Sequence, residues 1–271
     1  MIVQTIPIPA SRTISVSPLT REAFAPFGTA IANPRPEALP SNTSPQSIAA
    51  GSLPYGAVSA NQGSAIQYRG LAAMQNLYSS SSSSTHEKNA ATAAATPRMT
   101  MFVCGARDLG RDSVFRVGVL ERHPFTSQTF IPLTADASKR YLVIVAPTLP
   151  ASSEDTANLP APPAAAEEQQ QQQQQPRLPG PGLPDLTRLV AFIATGEQAV
   201  TYAAGTWHAP MVALGPAGSA IDFVVVQFAN DVPIEDCQEV ELSGAGGSGD
   251  EERKLVVQVP SPGRGGLAAK L

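Results

Sequence analysis

Apolar and polar positions in this chain alternate over short stretches, and no long segment follows the 3.6-residue period of a helix. Met99–Cys104, Val114–His123, Gln128–Pro132 and Tyr141–Ala146 are rich in β-branched and aromatic residues, with Pro or Gly at the breaks. Leu189–Ile193, Ala199–Tyr202, His208–Leu214, Ile221–Gln227 and Gln238–Leu242 read the same way. Short strands at steady spacing predict an all-β fold, a sandwich or a closed barrel. One short helix is predicted near the start. Thr20 is its candidate N-cap, Ala23, Phe24 and Phe27 pack inward, and Gly28 ends it before a strand over Gly28–Ala32. Asn61-Gln62-Gly63 reads as a turn ahead of an extended Ser64–Arg69.

Two tracts interrupt this pattern. Residues 79–96 run through Ser into Ala and Thr, and residues 151–184 contain the run Gln169–Gln175. The first lacks the bulky apolar residues that offset ordering entropy, the second is biased in composition, and both are expected as disordered insertions between strands. Surface loops tolerate such length at small closure cost. The expected organisation is one domain over residues 1–242 carrying these inserts, then a flexible Gly-rich and charged tail over 243–271.

Charge and composition narrow the function. A net charge of -4 with no basic face argues against nucleic-acid binding. The longest apolar runs, Tyr141–Pro147 and Ile221–Val226, are too short to span a bilayer. MIVQTIPIPASRT lacks a charged segment followed by an apolar one, so no secretory signal is expected. Cys104 and Cys237 are the only cysteines, which fits small apolar residues in a reducing compartment. Ala269-Lys270-Leu271 resembles the peroxisomal Ser-Lys-Leu address, so the expected location is cytoplasmic or peroxisomal.

The chemistry concentrates in two segments. Side chains alternate faces along a strand, so Val117, Val119, Glu121 and His123 are expected to share an inward face. Arg116 and Arg122 then point the other way, as solvent or interface charges. Gln128 opens the next strand. In the second half, the turn Ala203-Ala204-Gly205 delivers His208 at a strand start beside Trp207, a wall or core residue. His86 lies in the Ser/Ala tract and is expected to be solvated. An inward Glu, two His and a Gln in an apolar cup are costly to bury unless they pair or bind a ligand.

Glu121-x-His123-x4-Gln128, followed by Gly196-x8-Gly205-x2-His208, resembles the two-motif pattern of cupins. Here Glu stands for the pattern's first His and Gln for its Glu. Gln is a weak neutral ligand, so acid–base chemistry is favoured over tight metal binding. The four residues would still accept a divalent ion such as nickel, iron or manganese. Longer strings resemble the ureidoglycolate lyase family: Glu121 through Pro132, Ala191 through Tyr202, Gly205 through Met211, Pro18 through Gly28, Asn61-Gln62-Gly63 and Ile221 through Val226. The two biased tracts have no counterpart in shorter bacterial members and suggest a fungal-type chain. The resemblance implies a cupin-like β-barrel, usually dimeric, that cleaves (S)-ureidoglycolate to glyoxylate and urea at the end of allantoin breakdown. Bacterial members add a link to nickel.

Ureidoglycolate is a hemiaminal, with hydroxyl, carboxylate and ureido nitrogen on one carbon. Its elimination needs a base for the hydroxyl proton and an acid for the departing nitrogen. The candidates are His208 or His123 as base, with the other or Glu121 as acid. Gln128 would hold the ureido group, and Tyr202 and Arg69 are candidates for the carboxylate. Two further readings remain open: a metal-dependent cupin oxygenase or isomerase, and a non-catalytic cupin that binds a small carboxylate.

Overall fold

The computed structural model describes residues 1–80, 94–162, 178–244 and 252–260. His86, the Gln run and Ala269-Lys270-Leu271 lie outside the described residues. Two compact units are present, one of residues 1–30 and 74–271 and one of Ile31–Ala73. The smaller holds α2 (Pro45–Ala49), β4 (Val58–Ala60) and β5 (Ala65–Gln67), an antiparallel pair turning at Asn61–Gly63 as expected. All three turn residues have positive φ.

The larger unit is all-β and cupin-like, built on two sheets. The first joins β1 (Ile2–Pro7), β16 (Gln238–Ser243), β8 (Val119–Arg122), β13 (Trp207–His208), β10 (Arg140–Ala146), β11 (Val190–Thr195), β2 (Arg12–Pro18), β17 (Leu255–Gln258) and β7 (Val114–Arg116) in that order. β14 (Val212–Leu214) also pairs with β10. The second runs β3 (Gly28–Ile31), β12 (Ala199–Tyr202), β9 (Gln128–Pro132), β15 (Ala220–Ala229) and β6 (Thr96–Gly105). Among the described residues no helix is long and apolar enough to cross a membrane. Both cysteines are free thiols.

β10 explains why part of the chain reads as unbroken apolar sequence. Leu142, Ile144 and Ala146 pack into one core cluster with Trp207, while Tyr141, Val143 and Val145 pack into the other with Phe130, Tyr202 and Phe223. A strand buried on both faces loses the polar half of its alternation. The second cluster also receives α1 (Arg21–Phe24). Thr20 caps it, accepting from the Ala23 N–H at 3.2 Å, and Phe24 sits edge-on to Phe192 and Tyr202. Ala23 stays exposed.

Four expectations besides that of an inward Ala23 need correction. Val114–His123 is not one strand: Gly118 separates β7, paired with β17, from β8, which lies between β16 and β13. Val117 therefore packs with Leu120, on the face away from Glu121. Arg122 is fully buried rather than a solvent charge, because that second face is covered. Its guanidinium lies 4.5 Å over the Trp207 ring and donates to Gln238 Oε1 and to the carbonyls of Gly180, Pro181 and Gly182. Within the expected tail, Leu255–Gln258 is instead a buried strand, parallel to β2. Within the expected insert at 151–184, α3 (Ser153–Asn158) starts from a Ser152–Asp155 capping box. Arg116 is a half-exposed charge as expected, paired with Glu252.

Gly28 joins α1 to the second sheet. Its φ is +149°, and a Cβ there would stand 2.0 Å from the Thr201 carbonyl oxygen. Gly28→Ala is expected to cost more than about 2 kcal/mol, by backbone strain plus the clash. A urea unfolding curve with an unchanged midpoint would contradict this close approach.

Candidate active site

The site grows from strand register. His208 on β13 is the direct antiparallel partner of Glu121 on β8, so their side chains share a face. Tyr202 on β12 is likewise the partner of Gln128 on β9. His123 follows β8 by one residue, before Pro124. Five of the six expected site residues thus converge: Glu121, His123, Gln128, Tyr202 and His208. Arg69 belongs to the smaller unit, where its Nε donates to Gln67 Oε1 at 3.4 Å.

The turn before His208 is held at every residue. Ala203 N–H donates to Phe27 O, Ala204 N–H to Gln75 Oε1, Gly205 N–H to His123 O at 2.8 Å, and the Thr206 hydroxyl to Phe27 O. Gly205 takes φ +79°, which suits its lack of a side chain. The Gly205 bond ties the two histidine segments together.

Each imidazole is fixed by a main-chain carbonyl. His123 Nδ1 lies 2.6 Å from Asp236 O, and His208 Nδ1 lies 2.9 Å from Thr206 O. A carbonyl accepts only, so each Nδ1 carries a proton and each ring turns its Nε2 toward Glu121 and the other histidine. Among the described residues, both buried Nε2 atoms and Gln128 Oε1 lack a hydrogen-bond partner. Gln128 Nε2 meanwhile donates to Gln227 Oε1 at 2.7 Å. Gln128 Oε1 and His123 Nε2 are acceptors, so the cup suits a ligand that brings N–H, O–H or positive charge.

The electrostatics agree. His208 Nε2 stands 3.4 Å from Glu121 Oε1, near enough for an ion pair once the ring gains a proton. Burial pushes the Glu121 carboxyl up, but the neighbouring His208 and then His123 pull it down, leaving it below its ordinary value. Burial and the neighbouring His208 lower His123 to about 4. Tyr202 stacks on His208, with ring centroids 4.0 Å apart, and burial raises its hydroxyl well above 10.0. Cys237 is raised to about 12 by burial and then by Glu121.

Ligand atoms of Glu121, His123 and His208 all lie within 4.8 Å of one another. Two neutral imidazole nitrogens and one ionised carboxylate form a donor set that divalent transition metals accept. Glu121, Cys237 and Glu239 form a second such group.

Several contributors carried little signal in the chain. Asp236 and Thr206 act through main-chain oxygens, which side-chain type does not report. Gln227 did carry one: it is a polar residue in the apolar run of β15.

A cupin-like all-β unit with two histidines, a carboxylate and an amide gathered on facing strands defines a class of small-molecule site. The model of the family described as ureidoglycolate lyase matches residues 11–245. A ureidoglycolate lyase of Schizosaccharomyces pombe is 32% identical over 230 residues, covering 84% of this chain and 91% of that one. That of Saccharomyces cerevisiae is 30% identical over 236 residues, covering 85% and 95%. That of Burkholderia mallei is 28% identical over 220 residues, covering 81% and 85%. The chain belongs to the ureidoglycolate lyase family.

The depressed His123 value has a testable sign. The folded protein prefers the neutral ring, so this preference supports stability fully above pH 6.5 and is lost as pH falls toward 4. Between pH 6.5 and 4, metal-free wild-type protein should lose about 3 kcal/mol more stability than His123→Gln. Parallel pH–stability curves for the two proteins would contradict a buried neutral ring.

Proposed function

We propose that this protein is a ureidoglycolate lyase, splitting (S)-ureidoglycolate into glyoxylate and urea in allantoin and purine catabolism. The family match over most of the chain carries this reading. The acceptor-lined cup supports it, because the substrate offers an O–H and several ureido N–H groups to those acceptors. Of the alternatives, neither the oxygenase or isomerase nor the non-catalytic binder has a comparable supporting observation.

In the proposed reaction, His208 Nε2 takes the hydroxyl proton as the C=O bond forms and the C–N bond breaks. Glu121, 3.4 Å away, steadies the imidazolium and passes the proton to the departing nitrogen. The proton lost from oxygen is thus the one gained by urea. Gln128 Oε1 accepts from the ureido N–H groups, and His123 Nε2 accepts a further substrate proton in a hydrogen bond. Tyr202, stacked on His208, keeps its proton and turns a donor toward the substrate carboxylate.

The donor chemistry of Glu121, His123 and His208, with Gln128 as a weaker fourth, fits a divalent ion such as nickel or manganese. Bound there, an ion would bring Lewis acidity that lowers the pKa of the substrate hydroxyl.

A homodimer is also proposed. β6 is a ten-residue edge strand exposing Met99, Met101, Phe102 and Val103. Long apolar edges are open to pairing unless charged or covered. Two antiparallel copies centred on Met101 would set Met99 opposite Val103.

Purified protein is expected to release urea and glyoxylate from ureidoglycolate well above the spontaneous rate. His208→Ala should lower kcat at least about 100-fold. No acceleration by wild-type protein, with or without added nickel or manganese, would refute the lyase assignment. Light scattering should give twice the chain mass for wild-type protein and the single mass for Met101→Lys; a wild-type monomer would refute the dimer.

A further inference from the structure

Tyr78 and Asp236 have no part in the proton transfers described above, yet they bear on His123. The Asp236 carboxylate collects three donors. The Tyr78 hydroxyl reaches Oδ1 at 2.7 Å, the Asn230 N–H reaches Oδ1 at 2.9 Å, and the Asp231 N–H reaches Oδ2 at 2.8 Å. The carbonyl of the same residue receives the His123 Nδ1–H at 2.6 Å. Asp236 is thus gripped through its side chain and seats the imidazole through its main chain.

α4 (Pro233–Asp236), which ends at this carbonyl, has four residues. A helix of one turn cannot hold its own position, so its last carbonyl lies where side-chain bonds put it. Three sets of bonds do so. One is the grip on Asp236. A second is Asn230, whose Nδ2 donates to Glu235 and whose Oδ1 accepts from the Val232 N–H. The third is Gln238, whose Nε2 donates to Ile234 O and Pro160 O while its Oε1 accepts from buried Arg122. Tyr78 is itself buried and packs its ring 5.5 Å from that of Phe125, two residues beyond His123. Burial and the Asp236 carboxylate both raise its pKa, so it stays a donor at every working pH.

We propose that Tyr78 and Asp236 are positioning residues for His123: by fixing the Asp236 carbonyl they hold the ring in its Nδ1–H form and aim the Nε2 lone pair into the cup. The consequence for turnover rests on the lyase reading; the consequence for the imidazole does not.

The chain has three histidines, so 15N-histidine NMR resolves each ring, with His208→Gln and His123→Gln giving the assignments. Wild-type His123 is expected to show the pure Nδ1–H tautomer. Tyr78→Phe, which deletes one oxygen, should turn it into a tautomer mixture. The same variant should lower kcat for urea release about tenfold, the loss of one hydrogen bond to a charged group, with KM changed less than about twofold. Asp236→Ala should shift both readouts further, and Asp236→Asn, which keeps an acceptor for Tyr78, should restore them in part. A folded Tyr78→Phe protein with wild-type tautomer and kcat would overturn the proposal. Should Tyr78→Phe fail to fold, a folded Asp236→Asn matching Asp236→Ala in both readouts would overturn it equally. If wild-type protein releases no urea, the lyase reading fails while the tautomer shift still decides the positioning role.

Discussion

Two main-chain carbonyls decide what this site can do. Asp236 O and Thr206 O each take an Nδ1–H, and that choice turns the Nε2 atoms of His123 and His208 toward each other and toward Glu121, the three within 4.8 Å. Were the His123 tautomer reversed, its Nε2 would present a donor there instead. The suitability of the three side chains for a metal ion rests on those two bonds as well.

The carbonyls in turn depend on a sheet buried on both faces. One face of β8 and β13 carries Glu121 and His208 toward the aromatic cluster of Phe130, Tyr202 and Phe223. The other carries Arg122 and Trp207, locked to the 180–182 carbonyls and, through Gln238, to α4. Reactive groups thus lie on one side and the bonds that steady their backbone on the other. Burial strengthens both sets. Interactions between charges and dipoles are larger away from water, which is why His123 is driven neutral while Glu121 stays ionised beside His208.

Much of this was legible in the chain, for reasons that can be named. Strand alternation placed Glu121 and His123 together, and the spacing from Gly205 to His208 marked the turn that brings His208 to them. Thr20 and Phe24 announced the short helix, because capping is local. Arg122 was misread because alternation separates two faces without telling whether the second is wet; that depends on residues 178–183 returning from far along the chain. β17 was hidden in a Gly-rich, charged setting and owes its place to β2, more than 240 residues earlier. Asp236 and Thr206 were invisible, since every residue has a carbonyl and only tertiary structure says which one meets an imidazole. The reaction itself came from family resemblance rather than from periodicity.

The central claim is that His208 Nε2, Glu121 and Gln128 Oε1 surround the reacting carbon. A crystal structure of the protein with bound glyoxylate tests it most directly. The account predicts the product, bound as its hydrate, inside this cup, with a hydroxyl donating at roughly 2.7–3.2 Å to His208 Nε2 or to the Glu121 carboxylate. Glyoxylate bound elsewhere, with both Nε2 atoms facing an undisturbed interior, would contradict it.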